Sequence, residues 1–128
     1  MSDQDNRAIV AALWDLFEAR AWDRARALLA DDLVVDWPHT GERMRGPENF
    51  LAVNRYYPEG WSIRVLRIIA SGDTVVSEVV VTLGDVRSFA ASFFEIAGGR
   101  IHRVTEYWVD AEHQPVPSWR TPWVTRIE

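Results

Sequence analysis

The chain contains no cysteine and no lysine. Without a thiol there is no disulfide, no thiolate nucleophile and no thiolate metal site. Without a lysine amine, Schiff-base chemistry and a phosphate-loop lysine are both excluded. Positive charge is also scarce: 14 basic residues, all arginine, face 19 acids, for a net charge of −5. Phosphate binding needs a clustered basic surface, so nucleic acid is not expected as a partner. No apolar run approaches the roughly 20 residues needed to cross a bilayer, so no membrane partner is expected either. The opening "MSDQDNR" has no apolar core of the signal-peptide kind, and a cytoplasmic setting is the expectation.

What is present is a 128-residue chain, 48% hydrophobic and 26% charged, which reads as one folded domain over 1–128 with a real core. Seven tryptophans are many for this length. Each packs a large amphipathic area and suits a core, an interface or a ligand pocket. Any chemistry must rest on carboxylates, imidazoles, hydroxyls and aromatics.

Residues 6–20, "NRAIVAALWDLFEAR", put Ile9, Val10, Leu13, Trp14, Leu16 and Phe17 on one helical stripe. "WDRARALLA" (22–30) reads as a second helix, broken by Asp31 and Asp32. "LVVDW" (33–37) alternates as a strand, with Leu33, Val35 and Trp37 on one side and Asp36 on the other, and Pro38 ends it. "HTGERMR" reads as a turn and a short returning strand. "GPENFLAVNRYY" opens a third helix with Pro47 at its first position and Glu48 near the positive end of its dipole. Four strands follow, 61–71, 74–83, 86–97 and 100–110, with "SGD", "GD" and "AGG" between them as the turns of an antiparallel meander. The Pro- and Trp-rich tail, about 111–128, is expected to be irregular. Helices followed by a run of strands indicate α+β, with three N-terminal helices on one face of a curved antiparallel sheet.

The segments "LFEARAWDRARALLADDLVVDWP", "GPENF", "SGDTVV" and "GGRIHRVTEYWVD", in this order and spacing, resemble the nuclear transport factor 2-like superfamily and, within it, SnoaL-like proteins. The resemblance implies a cone, its sheet wrapped around the helices around a deep pocket. It also implies a homodimer formed through the outer sheet face. The superfamily holds ketosteroid isomerases, cyclases, epoxide hydrolases and dehydratases, and also binding modules, so the fold alone does not decide function. Ketosteroid isomerases end their first strand with a general-base aspartate before proline; that position here is Trp37. Their first-helix tyrosine falls at about Leu13, and their protonated acid on the third meander strand at about Ser92. All three roles are lost, and the sequence does not read as a ketosteroid isomerase.

The same alignment turns His102, Val104, Glu106 and Trp108 inward on the last strand, and Val76, Glu78, Val80 and Thr82 inward on the strand 74–83. Glu106 is the first candidate general acid or base. A carboxyl against Trp and Val is desolvated, and its pKa should rise toward a range useful for proton transfer. The alternative is an ion pair with Arg67 or Arg103 that serves rigidity alone. Glu78 could share the chemistry as a second acid in an unlike environment, or be a solvent or interface residue. His39, after the Pro38 break, is a candidate proton shuttle at the rim or merely exposed. His102 and His113 rank below it. No two histidines have zinc spacing, and neither metal nor cofactor is expected. Trp37, Phe50, Tyr57, Trp61, Phe94 and Trp108, together with Ser92, form the candidate ligand-binding wall for a small hydrophobic molecule, although each aromatic taken alone reads more readily as core.

Overall fold

A computed structural model describes residues 2–112 and 115–127; His113 lies outside the described residues. The first helix, α1 (Asp3–Glu18), begins where Ser2 and Asp5 exchange side-chain-to-backbone hydrogen bonds in a capping box. It ends in a Schellman arrangement: Arg20 takes the left-handed conformation at φ 59°, its N–H donates to the Phe17 carbonyl, and the Ala21 N–H reaches back to the Leu16 carbonyl. Between these caps, Val10, Leu13, Trp14 and Phe17 are buried at helical spacing.

A short helix, α2 (Trp22–Arg26), leads into β1 (Leu29–Trp37) and β2 (Glu42–Arg45). The second helix thus stops four residues before its expected end. Arg26 donates to the Leu29 carbonyl and to Asp31, and the Leu28 carbonyl accepts the Ile101 N–H, so the chain joins the sheet at Leu29 instead of winding on. Helix α3 (Pro47–Arg55) starts on proline, which has no N–H to leave unpaired. The meander β3 (Ser62–Ser71), β4 (Thr74–Leu83), β5 (Val86–Ala97) and β6 (Arg100–Asp110) follows. The tail is not wholly irregular: Ser118–Trp123 forms a 3-10 helix with no buried residue.

All six strands lie in one sheet in the order β2-β1-β6-β5-β4-β3, curved and unclosed around the helices, an α+β cone. Every neighbouring pair is antiparallel except β1 with β6, which run parallel. This pair brings the residues around Pro38 beside the end of β6. α1 packs across β3 and β4, and α3 against β1. A chain of rings runs through the core, from Phe94 through Trp14 and Phe17 to Trp22 and Trp61, with Phe50 against Phe17. Among the described residues, no helix packs on the other face of the sheet, which exposes Ile69, Phe93, Tyr107 and Val109. No described helix is long and apolar enough to cross a membrane.

Candidate functional site

Period two along β6 sets Val104, Glu106, Trp108 and Asp110 on the face that looks toward the helices. Register then places Ser92 of β5 beside Glu106, and Ser77 of β4 beside Ser92. A row of three polar side chains thus crosses an otherwise apolar inner face. All three are buried, Glu106 to 1% exposure. They are not orphaned. The Ser92 hydroxyl donates to Glu106 Oε2 at 2.7 Å, the Trp37 indole N–H to Oε1 at 3.0 Å and the Trp108 N–H to the same oxygen at 3.4 Å. At the other end of the row the Trp14 N–H donates to Ser77 at 3.0 Å.

No arginine reaches Glu106 among the described residues: Arg67 pairs with Glu78, and Arg103 with Asp36 and Glu95. Burial therefore pushes the Glu106 pKa above the ordinary carboxylate value. The Ser92, Trp37 and Trp108 hydrogen bonds and the nearby His39 act in the opposite direction.

Trp14, Trp37 and Trp108 turn their N–H groups into this polar row. With Trp61 they wall a cavity of about 220 Å³ between α1, α3 and the sheet, completed by Ile63, Val81, Val53 and Tyr57. Its polar lining is His39, Asn54, Ser88 and Asp110, the last two joined by a 2.7 Å hydrogen bond. His39, Val53, Tyr57 and Asp110 are exposed and form the rim, while Trp14, Trp61 and Val81 lie deep. Trp61 is held in place by Arg20, whose guanidinium stacks 3.4 Å from the ring centroid and donates to the Trp61 carbonyl and to Glu59.

The expected site residues separate into four groups. Trp37, Tyr57, Trp61, Trp108 and His39 line the cavity. Glu106 and Ser92 lie behind its tryptophan wall rather than on its surface. Phe50 and Phe94 are core residues at 1% and 0% exposure, packed against Phe17 and Trp14, and do not reach it. Glu78 faces the other way. Its inward placement is corrected by the β4 register, which turns Val75, Ser77, Val79 and Val81 toward the helices and leaves Glu78 outside, bound to Arg67 at 2.9 Å. The error was one residue, which flips a whole strand. Val76, Val80 and Thr82 move to the outer face with it. His102 bonds Asp32 and lies away from the cavity, and no described tail residue lines the cavity. Trp14, Asn54, Ser88 and Asp110 were missed. Asp110 had a usable signal, since it continues the inward face of Glu106 and Trp108 by period two.

The SnoaL-like domain model matches residues 10–104, most of the chain. The chain belongs to the SnoaL-like family. Among solved structures, this SnoaL-like chain is similar to a Kribbella flavida protein that carries the provisional name ketosteroid isomerase, with 34% identity, TM-score 0.88, and coverage of 98% of this chain and 92% of that one. It is similar to an NTF-2 like protein from Burkholderia xenovorans, with 26% identity, TM-score 0.76, and coverage of 98% and 97%. It is also similar to an epoxide hydrolase of M. tuberculosis, with 25% identity, TM-score 0.70, and coverage of 84% of each chain. No curated protein matches the sequence.

Proposed function

We propose that this SnoaL-like chain holds a small, largely apolar molecule in the tryptophan-walled cavity and moves a proton on it, with Glu106 as the general acid or base. One observation carries this reading: a buried carboxyl without a cationic partner sits directly behind two indoles that line the cavity. A purely structural core position has no need of a carboxyl with a raised pKa, whereas proton transfer near neutrality does. Of its two indole bonds, the one from Trp108 is the longer at 3.4 Å. A swing of that ring on ligand entry would open the carboxyl to the cavity, with His39 at the rim to exchange the proton with solvent. Isomerisation, cyclisation, dehydration and water addition each need such a step, and the neighbours' names span isomerase and hydrolase. The test is Glu106→Gln, assayed for conversion of a bound ligand alongside folding and binding. Loss of turnover with binding retained supports the assignment, and unchanged turnover refutes it.

A specific observation favours a second reading. The oxygens of Glu106 are already engaged by Ser92, Trp37 and Trp108, and the residue does not reach the cavity surface. On this reading Glu106 fixes the tryptophan wall, and the protein binds its ligand without changing it. Recovery of every bound ligand chemically unaltered after long incubation would establish it.

On either reading we infer a homodimer through the outer sheet face, supported by the exposure of Ile69, Phe93, Tyr107 and Val109 on strands that no helix covers.

A further inference from the structure

Among the described residues, the cavity's lining contains no arginine, although the chain has 14. Its formally charged groups are Asp110 at the rim and, when protonated, His39; the carboxyl of Glu106 lies behind the wall. An anionic ligand would find no guanidinium among the described lining residues to pair with and would face the Asp110 carboxylate directly. Phosphates, acyl carriers and carboxylic acids are therefore poor occupants. The rest of the lining points the other way. Trp14, Trp37, Trp61, Trp108 and Tyr57 bring five electron-rich rings to the lining of one small volume. The negative face of an aromatic ring attracts a cation, indole most strongly, and the attraction grows as water is excluded. Trp61 already does this once, under the Arg20 guanidinium. Asp110, fixed by Ser88 at 2.7 Å, supplies the counter-charge at the entrance.

We propose that the ligand of this cavity is an organic cation: an apolar, ring-bearing body seated among the indoles and a protonated amine directed at Asp110. This deepens the reading that the cavity holds a small apolar molecule, and rests on it. Reaction type is left as before. What is added is the charge and orientation of the occupant.

Three probes of matched shape test it by isothermal titration against the full chain: 2-naphthylmethylamine, 2-naphthylmethanol and 2-naphthoate. The amine should bind about tenfold or more tighter than the alcohol, the size of one cation–ring or ion-pair contact in a partly dry site, and the carboxylate should show no binding. Asp110→Asn should bring the amine-to-alcohol ratio close to one. If the alcohol matches the amine, or the carboxylate binds best, the cation assignment is overturned while the apolar-pocket reading stands. If none of the three binds at millimolar concentration, the pocket reading falls and this inference with it. If Asp110→Asn leaves the ratio unaltered, Asp110 is not the counter-charge and the stated orientation is wrong.

Discussion

Trp37 on β1 and Glu106 on β6 are joined at 3.0 Å across the sheet's only parallel strand pair among the described residues, 69 positions apart in sequence. The indole N–H is a donor with no acceptor capacity, and the carboxyl is buried, so each satisfies a group that would otherwise be stranded. The two substitutions at Glu106 should therefore differ. Glu106→Gln keeps an oxygen for the two indoles and an amide N–H for Ser92, and should cost little stability. Glu106→Leu strands the Trp37 N–H and the Ser92 hydroxyl, at about 1–3 kcal/mol for each buried group left unpaired. Urea denaturation of the three proteins measures the order. A Leu variant as stable as the Gln variant would mean that water or relaxation rescues the network.

The pH dependence follows from the raised pKa of Glu106. Between its unfolded and folded pKa values the native state holds the proton and the unfolded state does not. The contribution is complete below the unfolded value, near 4.5, and is lost as pH rises through the folded pKa. Wild-type stability should therefore fall relative to Glu106→Gln as pH climbs from 4.5 toward neutrality. Paired denaturation curves across that window measure it, and parallel curves would show that the hydrogen bonds from Ser92 and the indoles offset burial completely.

Asp36 has the opposite sign. Arg43 and Arg103 both bond it, Arg103 at 2.8 Å, and hold its carboxyl below the ordinary aspartate range. Its contribution is present above the unfolded value of 3.8 and lost as pH falls through the folded one. Asp36→Asn should flatten the acid limb of the stability curve and leave the limb above pH 4.5 to Glu106. An acid limb of undiminished slope would assign it to Asp31 and Glu48, which Arg26 holds low in the same way.

Arg20 occupies a left-handed position at which glycine is the usual residue, with φ at 59°. The side chain explains the exception, because it caps the Phe17 and Glu18 carbonyls and stacks on Trp61 in the cavity wall. Arg20→Gly relieves the backbone, a gain of about 1 kcal/mol or less, and removes the clamp. The expected result is a small net change in melting temperature together with an altered Trp61 environment, seen as a shift in intrinsic fluorescence against an Arg20→Gly/Trp61→Phe control. An unshifted spectrum would show that the wall stands without the clamp.

The bounds of β4, β5 and β6 were legible to the residue, because two-residue gaps rich in glycine cut apart runs of branched and aromatic side chains. The inner face of β6 came from the resemblance, whose alignment turns Val104, Glu106 and Trp108 inward, and the burial of Val104 and Glu106 agrees with it. The faces of β4 were not legible: valines occur on both sides of the strand, so alternation carries no sign, and only the register that sets Ser77 beside Ser92 decides it. The parallel entry of β1 was equally hidden. It depends on the Leu28 carbonyl meeting the Ile101 N–H, a contact 73 residues apart that local propensity does not encode. Trp14 read as one more member of a helical stripe, and its part in the wall depends on which way the indole turns.

The outer face supports the proposed association and makes it testable. Phe93 and Tyr107 meet edge to face at 6.3 Å, and with Ile69 and Val109 they leave an apolar band in water on a sheet whose other side packs against the helices. Monomeric proteins rarely keep such a band open, and a second copy laid on it buries identical residues about a two-fold axis. Tyr107→Glu with Val109→Glu places four carboxylates in that interface while touching neither the core nor the cavity, since both side chains point away from Glu106. The wild-type chain should sediment as a dimer and the double variant as a folded monomer with an unchanged far-ultraviolet spectrum. A wild type that sediments as a monomer at all concentrations, or a double variant that remains dimeric, would remove the outer face from the account and turn attention to the exposed Trp119 and Trp123 of the tail.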